Sequence, residues 1–301
     1  MRTHSTKPLG SLLIAGLLTL PSLLPAQPSA HYVPGSEGLD AATLPPPGWW
    51  LRDYNLFYNS KRLNDSQGNQ IPLGFSAFTY AQVPRVLWIT DTQVLGGNLG
   101  VDALLPFVYN HAEINALGYN DSTFGMGDFF AEGSWSQHSK HFDTALAFGV
   151  WAPTGDSGAP ISTRAGQGFW TYMFTAGATW HVDDERKWSV SALNRYEFNM
   201  EDHDTEQIPG QAYTLEWGVS REIAKGIDIG AVGYYQQQVT PTTSPIGSIW
   251  SSRNRVAAVG PEISAFFPQW MLGVSFRYEY EFMAENRAQG QTFTLTITKK
   301  F

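Results

Sequence analysis

Polar and apolar residues alternate with a period of two over many short stretches of this chain. The clearest stretch interleaves a row of threonines with a row of apolar residues: Thr292, Thr294, Thr296 and Thr298 against Phe293, Leu295, Ile297 and Phe301. A period of two places successive side chains on opposite faces of a β-strand. The same alternation recurs over 187–199, 211–222 and 270–283. The pattern therefore predicts an all-β chain whose strands have one apolar and one polar face.

Twelve runs of this kind follow residue 48, separated by clusters of Gly, Asn, Asp and Pro. We predict strands over 49–60, 74–90, 97–110, 124–137, 141–152, 168–181, 187–199, 211–222, 226–238, 254–267, 270–283 and 291–301. Each run has at least the ~9–11 residues that a tilted membrane strand requires. Pro84 and Pro106 fall inside the second and third runs, where we expect bulges or local bends.

The connections between these runs alternate between long and short. The long ones are 61–73, 111–123, 153–167, 200–210, 239–253 and 284–290, and the short ones include 137–140, 181–186, 222–226 and 267–270. An even number of strands, with short turns at one end and longer loops at the other, is typical of an outer-membrane barrel. A β-sandwich has no reason to sort its loops in this way. We therefore predict a transmembrane antiparallel β-barrel of about 12 strands, with short periplasmic turns and longer extracellular loops.

The composition agrees with a barrel. Charged residues make up 15% of the 301 residues, and aromatic residues make up 14%, whereas soluble domains contain about 25% charged residues. Mean hydropathy is −0.22, which is too polar for a helical membrane protein but compatible with strands that have one polar face. The absence of cysteine excludes thiolate catalysis, cysteine–metal sites and disulfides. A formal charge of −8 argues against nucleic acid as a partner.

The first 26 residues have the layout of a secretory signal peptide. Arg2 and Lys7 precede a mostly apolar stretch that ends in the small residue Ala26, after which we expect cleavage. The mature chain is then exported, and we expect it in the bacterial outer membrane. Residues 27–48 are rich in Pro and Gly, and we interpret them as a periplasmic lead-in or partial plug. Residues 49–301 form the predicted barrel.

Most charged residues within the predicted strands share the parity that faces the lumen. Arg or Lys facing lipid at the bilayer midplane would cost about 2–4 kcal/mol. The candidate lumen-lining residues are Asp102, Asp128, Glu132, Arg195, Glu197, Glu216, Arg277, Glu279 and Glu281. They line a solute pathway or pair across a narrow lumen, and we favour pairing for most of them. Four apolar or aromatic residues are predicted to face the same interior: Phe130, Met173, Tyr234 and Phe266.

Several short motifs, taken in their order along the chain, resemble one family. They are Tyr32-Val-Pro-Gly35, Gly38-Leu39-Asp40-Ala41, Pro45-Pro-Pro-Gly48, Gly127-Asp128 and Trp151-Ala-Pro-Thr-Gly155. They resemble the meta-pathway phenol degradation family of outer-membrane transporters, within the barrel superfamily that includes FadL-like channels for hydrophobic compounds. The resemblance implies passive uptake of small hydrophobic or aromatic compounds without a cofactor. It also implies that an N-terminal segment such as 31–48 can enter the lumen as a plug.

Other functions find less support in the sequence. Twelve strands also describe an outer-membrane phospholipase, but no histidine has a serine or carboxylate at a spacing that indicates a catalytic triad. We therefore predict no enzymatic activity. The Glu201-Asp-His-Asp204 cluster is more simply a solvated loop than a cation site, so we predict no metal. A structural or surface-binding barrel with a closed lumen is the alternative to a channel, and an outer-membrane lipid hydrolase is a less favoured third.

The last predicted strand has an aromatic residue at its end, Phe301. A closing strand that ends on phenylalanine resembles the terminal signature of outer-membrane barrels. We therefore expect Phe301 to act as the membrane-assembly signal, read by the barrel-assembly machinery. The other expected partners are outer-membrane lipid and small hydrophobic or aromatic solutes.

Overall fold

The computed structural model describes residues 30–160, 163–243 and 253–301. The predicted signal peptide and residues 27–29 lie outside the described residues. The strand segments are β1 (Gly48–Leu63), β2 (Phe75–Val94), β3 (Gly97–Leu104), β4 (Phe107–Ile114), β5 (Tyr119–Met126), β6 (Phe129–His138), β7 (Phe142–Ala152), β8 (Thr171–His181), β9 (Trp188–Asn199), β10 (Ala212–Ala224), β11 (Ile227–Gln238), β12 (Arg255–Phe267), β13 (Leu272–Glu285) and β14 (Ala288–Lys300). Within the described ranges, no helix is long and apolar enough to cross a membrane.

These fourteen segments make twelve barrel strands, because two strands are interrupted. β3 and β4 pair with successive parts of β2 and are the two halves of one strand. β5 and β6 are likewise two halves, since β5 pairs with β4 and β6 pairs with β3. β1 pairs with both β2 and β14, so the antiparallel sheet closes on itself. The predicted twelve-stranded antiparallel barrel is confirmed.

The two interruptions lie side by side, at Pro106 and at Gly127, whose N–H donates to the Pro106 carbonyl at 2.8 Å. Pro84 of β2 faces this place, because it lies between the β2 residues that pair with Leu104 and with Phe107. The predicted disruption is therefore present at Pro106. β2 continues through Pro84, because the N–H that proline lacks falls opposite a break in the ladder.

The two ends of the barrel carry different connections. One end has 64–74, 115–118, 153–170, 200–211, 239–254 and 286–287, and the other has 95–96, 139–141, 182–187, 225–226 and 268–271. We call them the loop end and the turn end. In an outer-membrane barrel the longer connections are extracellular and the short turns periplasmic.

Two of the predicted long loops are wrong in extent. The region 111–123 is mostly strand, since β4 and β5 pair out to Ile114 and Tyr119. The region 284–290 contains only a two-residue turn, 286–287. Gly118 and Asn286 adopt positive φ values of 61° and 52°, which close these tight turns. Asn tolerates this conformation, but Asn-Arg is not a typical hairpin signal, so the pattern did not show the second turn.

The two faces of the sheet differ as the alternation predicts. The outward face exposes large apolar side chains such as Leu146, Phe148, Phe174, Val190, Phe276 and Phe282. Of the four residues assigned to the interior, Phe130, Met173 and Tyr234 are buried. Phe266 has the inward parity assigned to it, which it shares with the buried Glu262, but it is 40% exposed. It lies one residue before the turn-end limit of β12, where the barrel opens to solvent.

Candidate functional site

Residues 30–47 run inside the barrel, and we call them the inner segment. His31 Nδ1 lies 2.8 Å from Thr171 Oγ1, at the loop-end start of β8. Thr43 Oγ1 donates to Asp143 Oδ2 at 3.1 Å, at the turn-end start of β7. Because these contacts lie near opposite ends of the wall, the inner segment extends along most of the interior.

The barrel wall provides hydrogen-bond partners for the backbone of the inner segment. Three N–H groups donate to wall carboxylates at 3.0 Å each: Tyr32 to Glu197, Glu37 to Glu216 and Leu39 to Glu262. Two carbonyl groups accept from wall side chains: Tyr32 from Gln236 at 3.0 Å and Ser36 from Arg277 at 2.9 Å. A buried chain without secondary structure needs such partners, because unpaired backbone groups are costly. The wall therefore binds this segment through its main chain.

Small residues allow the segment to approach the wall closely. A Cβ atom at Gly218 would lie 3.3 Å from Leu39 Cα, and one at Gly230 would lie 2.8 Å from Leu39 Cδ2. On the segment itself, a Cβ atom at Gly38 would overlap the side chains of Glu262 and Arg277. Both sides of the contact thus depend on the absence of side chains.

The Glu37 carboxylate is the main ionic contact between the inner segment and the wall. It accepts from Arg52 Nη1 at 3.0 Å, Arg85 Nη1 at 3.2 Å and Tyr54 Oη at 2.9 Å. Arg195 Nη2 lies 3.9 Å away. Arg52 and Tyr54 belong to β1, Arg85 to β2 and Arg195 to β9. Glu37 therefore connects strands from different sides of the lumen.

All nine predicted lumen-lining residues are buried: Asp102, Asp128, Glu132, Arg195, Glu197, Glu216, Arg277, Glu279 and Glu281. Several take part in ion pairs along the wall: Arg85 with Asp102 at 2.8 Å and Glu132 at 2.9 Å, Arg195 with Glu216 at 2.5 Å, and Arg277 with Glu262 at 3.0 Å and Glu279 at 3.4 Å. Buried charges in such pairs fit the pairing interpretation better than a ring of free charges.

Asp128 and Glu281, two of the seven carboxylates among these nine residues, have other kinds of partner. Asp128 Oδ2 lies 2.9 Å from His31 Nε2, and its carboxylate also accepts from the backbone N–H groups of Gly155 and Gln167. Asp128 therefore joins the inner segment to the 153–170 loop. Glu281 accepts from the hydroxyls of Tyr58 and Tyr234, each at 3.0 Å.

Glu37 and Arg85, the two residues at the centre of this network, are not among the residues predicted from the sequence. Glu37 precedes the first strand, so strand parity says nothing about its direction. Arg85 shares the inward face of β2 with Leu87 and Ile89, which are also buried. Because apolar residues occupy both faces of β2, the alternation that identified the other lumen charges is lost there.

A cavity of about 320 Å³ lies between the inner segment and a wall that includes β1 to β4, β11, β13 and β14. Val33, Leu56 and Leu104 contribute apolar surface, whereas Glu37 and Arg85 contribute charge. The lining also reaches the loop-end turn 286–287. This volume lies at the lower end of the range of small-molecule pockets. A larger concave surface between β10 and β13 is lined by outward apolar side chains, so it faces the bilayer rather than the lumen.

Histidines gather at the turn end of the segment. The buried Asp143 carboxylate lies 2.9 Å from His181 Nε2 and 3.1 Å from His138 Nδ1, in addition to its bond from Thr43. In the adjoining 182–187 connection, backbone N–H groups donate to the Asp183 carboxylate. These hydrogen bonds, of which that from Lys187 has the largest effect, hold the pKa of the Asp183 carboxyl below its usual value. This cluster anchors the end of the inner segment.

The acidic loop cluster forms as a compact group of Asp202, His203 and Asp204. Asp202 accepts from Arg164 at 3.0 Å and from the Asp204 N–H at 2.9 Å. Its oxygens therefore have protein partners, as in an ordinary structured loop. Phe301 lies at the turn end, where its N–H donates to the Trp49 carbonyl at 3.0 Å and its side chain is exposed.

Residues 60–297 match a protein family whose description reads "Putative MetA-pathway of phenol degradation". The chain belongs to this family. The match confirms the resemblance seen in the sequence motifs. No curated protein matches the chain.

Two solved barrel structures are similar to this member of the phenol-degradation family. An outer membrane channel from Pseudomonas putida F1 is 15% identical, covers 90% of this chain and 100% of its own, and has a TM-score of 0.78. The β domain of the Bordetella autotransporter BrkA is 12% identical, covers 84% of this chain and 99% of its own, and has a TM-score of 0.53. At these identities the similarity shows the fold, which is that of bacterial outer-membrane barrels.

Proposed function

We propose that this protein is an outer-membrane channel for the passive uptake of small hydrophobic or aromatic compounds. The observation that carries the proposal is the partly apolar cavity of about 320 Å³ inside a twelve-stranded barrel. The cavity extends toward the loop end and is bounded by the inner segment. The family's description, which refers to phenol degradation, supports aromatic compounds as the solute class.

In this proposal, residues 27–48 are a plug, residues 49–301 are the barrel, and residues 1–26 are a cleaved signal peptide. Glu37 spans the lumen between β1, β2 and β9, so a solute passes only when the inner segment moves. The lumen charges act mainly in pairs that shape the interior and hold the segment. Outer-membrane lipid surrounds the apolar outer face, and the barrel-assembly machinery inserts the chain with Phe301 as its signal.

A permanently closed barrel with a structural or surface-binding role is the second candidate. The ion pairing between the wall and the segment favours it, since Arg52, Arg85 and Arg195 all face the Glu37 carboxylate. In that case the long connections at the loop end would bind a partner outside the cell.

The first experiment compares the mature chain with a chain lacking residues 27–47 in planar bilayers and in proteoliposomes. We expect low conductance and measurable phenol uptake for the mature chain. The deletion should increase both, because it removes the contacts that cross the lumen. The electrophoretic shift between heated and unheated samples checks that both chains are folded. Equal, negligible conductance and no phenol uptake in both folded chains would support the closed barrel instead.

A lipid hydrolase remains the third alternative. Phospholipid hydrolysis by the purified barrel, measured with and without calcium, addresses it directly. We expect no hydrolysis above that of empty detergent micelles. Calcium-dependent release of fatty acid would overturn the assignment as a channel without catalytic activity.

A further inference from the structure

The hydrogen-bond donors around Glu37 form a binding site for a carboxylate. We infer that the Glu37 side chain fills this site in the present structure and that the carboxylate of a solute can take its place. When the inner segment moves, the same site takes the carboxylate of an aromatic or other hydrophobic monocarboxylic acid. The inference rests on the proposed function, because it names a solute class for the same lumen.

The site is built on rigid elements, whereas its present occupant is not. Arg52 Nη1, Tyr54 Oη and Arg85 Nη1 lie on β1 and β2, within 3.2 Å of the Glu37 carboxylate. Glu37 belongs to a segment without regular secondary structure. Guanidinium groups and a phenol hydroxyl are strong partners for a carboxylate, particularly in a buried site. The donors therefore keep their places if Glu37 leaves.

The other carboxylates of the wall do not replace Glu37. Asp102 and Glu132 bind Arg85 through Nε and Nη2, which leaves Nη1 for Glu37. Among the described residues, the ion pair of Arg52 is with Glu37 alone, and Arg52 Nε has no hydrogen-bond partner. Departure of Glu37 thus leaves buried donors without their acceptor, which is unfavourable unless another anion takes its place.

The space beside the donors suits an apolar body. Glu37, Tyr54 and Arg85 line the cavity together with Leu56 and Leu104. A ligand with its carboxylate at the donors therefore places a ring against aliphatic and aromatic side chains. A neutral hydrocarbon would leave the donors unpaired.

A monoanion carries the same charge as the Glu37 side chain that now fills the site. Three wall arginines face Glu37, namely Arg52, Arg85 and Arg195. Of the wall carboxylates beside them, Asp102 and Glu132 pair with Arg85, and Glu216 pairs with Arg195. One monocarboxylate in place of Glu37 restores the charge of the present structure. A dianion such as a phosphate monoester adds a further buried negative charge, which is costly.

The test measures equilibrium binding of radiolabelled benzoate and of benzamide, its neutral isostere, to the full mature chain in detergent. The variant Glu37→Ala empties the site, and Glu285→Ala is the control, since Glu285 pairs with the exposed Arg255 and neither residue lines the cavity. We expect Glu37→Ala to bind benzoate at least about tenfold more tightly than the native chain, as one charge-assisted hydrogen bond contributes that much. Benzamide affinity should not change, and Glu285→Ala should match the native chain.

Adding Arg52→Gln to Glu37→Ala should abolish the gain in benzoate affinity. A folded Glu37→Ala chain that binds benzoate and benzamide equally would overturn the inference. If Glu37→Ala does not fold, Arg52→Gln alone carries the test, and it should lower the ratio of benzoate to benzamide affinity in the native background. An unchanged ratio would overturn the inference.

Measurements of solute flux distinguish a failure of this inference from a failure of the proposed function. Benzoate binding to Glu37→Ala without flux of benzoate or benzamide would support the site and remove the channel. Equal flux of benzamide and benzoate, with no binding preference, would support the channel and remove the site.

Discussion

At the scale of single residues, a glycine contributes as much to the position of the inner segment as the charged residues do. Gly38 passes directly beside the Arg277–Glu262 ion pair, and a Cβ atom there would overlap both side chains. The neighbouring Leu39 N–H also donates to Glu262. The position of the inner segment therefore depends on glycine at this point.

The substitution Gly38→Val should displace the inner segment and raise the conductance toward that of the chain lacking residues 27–47. A side chain at this position overlaps the ends of Glu262 and Arg277, so Val must either displace the segment or separate a buried ion pair, which is costly. Single-channel recording measures the effect. Gly158→Val is the matched control, because a Cβ atom at Gly158 has no neighbour within 4 Å. Native-like conductance of Gly38→Val would show that the segment does not limit the current.

Strand parity predicted the burial of the lumen charges because solvent forces charged side chains inward in a membrane strand. That argument has no force outside strands, which is why Glu37 was not found. It also fails where both faces are apolar, as beside Arg85 on β2. The pairing of particular residues, such as Arg195 with Glu216, depends on register between strands and cannot be read from one strand alone.

At the scale of elements, the interrupted strands show how the chain uses proline in a barrel. The break at Pro106 and the adjacent Gly127 allow the 153–170 loop to pack against the wall, where the Asp156 N–H donates to the Met126 carbonyl at 2.7 Å. The sequence predicted a bulge or bend at Pro106, but not the contact of the 153–170 loop with this part of the wall. The bounds of most strands were predicted closely, whereas the ends of β4, β5, β13 and β14 were not, because tight turns replace the expected loops.

The end of β14 supports a prediction about assembly. Deleting Phe301 should lower the amount of protein in the outer membrane more than it lowers transport per inserted molecule. Phe301 is 77% exposed and does not line the lumen cavity, so its loss leaves that cavity unchanged. Immunoblots of outer-membrane fractions and uptake normalised to them measure the two effects. Phe301→Tyr is the control that keeps an aromatic ring, and normal membrane levels of the deletion would contradict the assembly role.

At the scale of the whole molecule, the closed sheet separates an apolar exterior from a charged interior. The alternation and the sorted connections were sufficient to predict this architecture, because both follow from a barrel that crosses a bilayer. The path of the inner segment was not predictable to the same degree. Its contacts come from β9, β10 and β12 as much as from β1 and β2, so they exist only after the sheet has closed.

An arginine introduced at two different heights of the outward face tests how the barrel is oriented in the bilayer. Phe276→Arg, at an outward position 49% exposed, should lower the free energy of unfolding in lipid vesicles by about 2–4 kcal/mol if it lies near the bilayer midplane. Ile223→Arg, at an exposed position near the turn end of β10, should lower it by only about 0–1 kcal/mol. Urea titration of folding into vesicles gives both values. Equal effects would contradict the orientation of the barrel in the bilayer.

The inner segment joins β1 at Gly48, at the turn end, and this attachment limits how it can leave. Trp50 Nε1 donates to the Pro46 carbonyl at 2.9 Å and Lys300 Nζ donates to the Pro47 carbonyl at 2.8 Å, so the attached end is held at that rim. A ring of paired strands surrounds the segment, which excludes sideways escape. In the proposed channel, the segment therefore leaves lengthwise toward the periplasm, in the direction of travel of a solute that enters from outside.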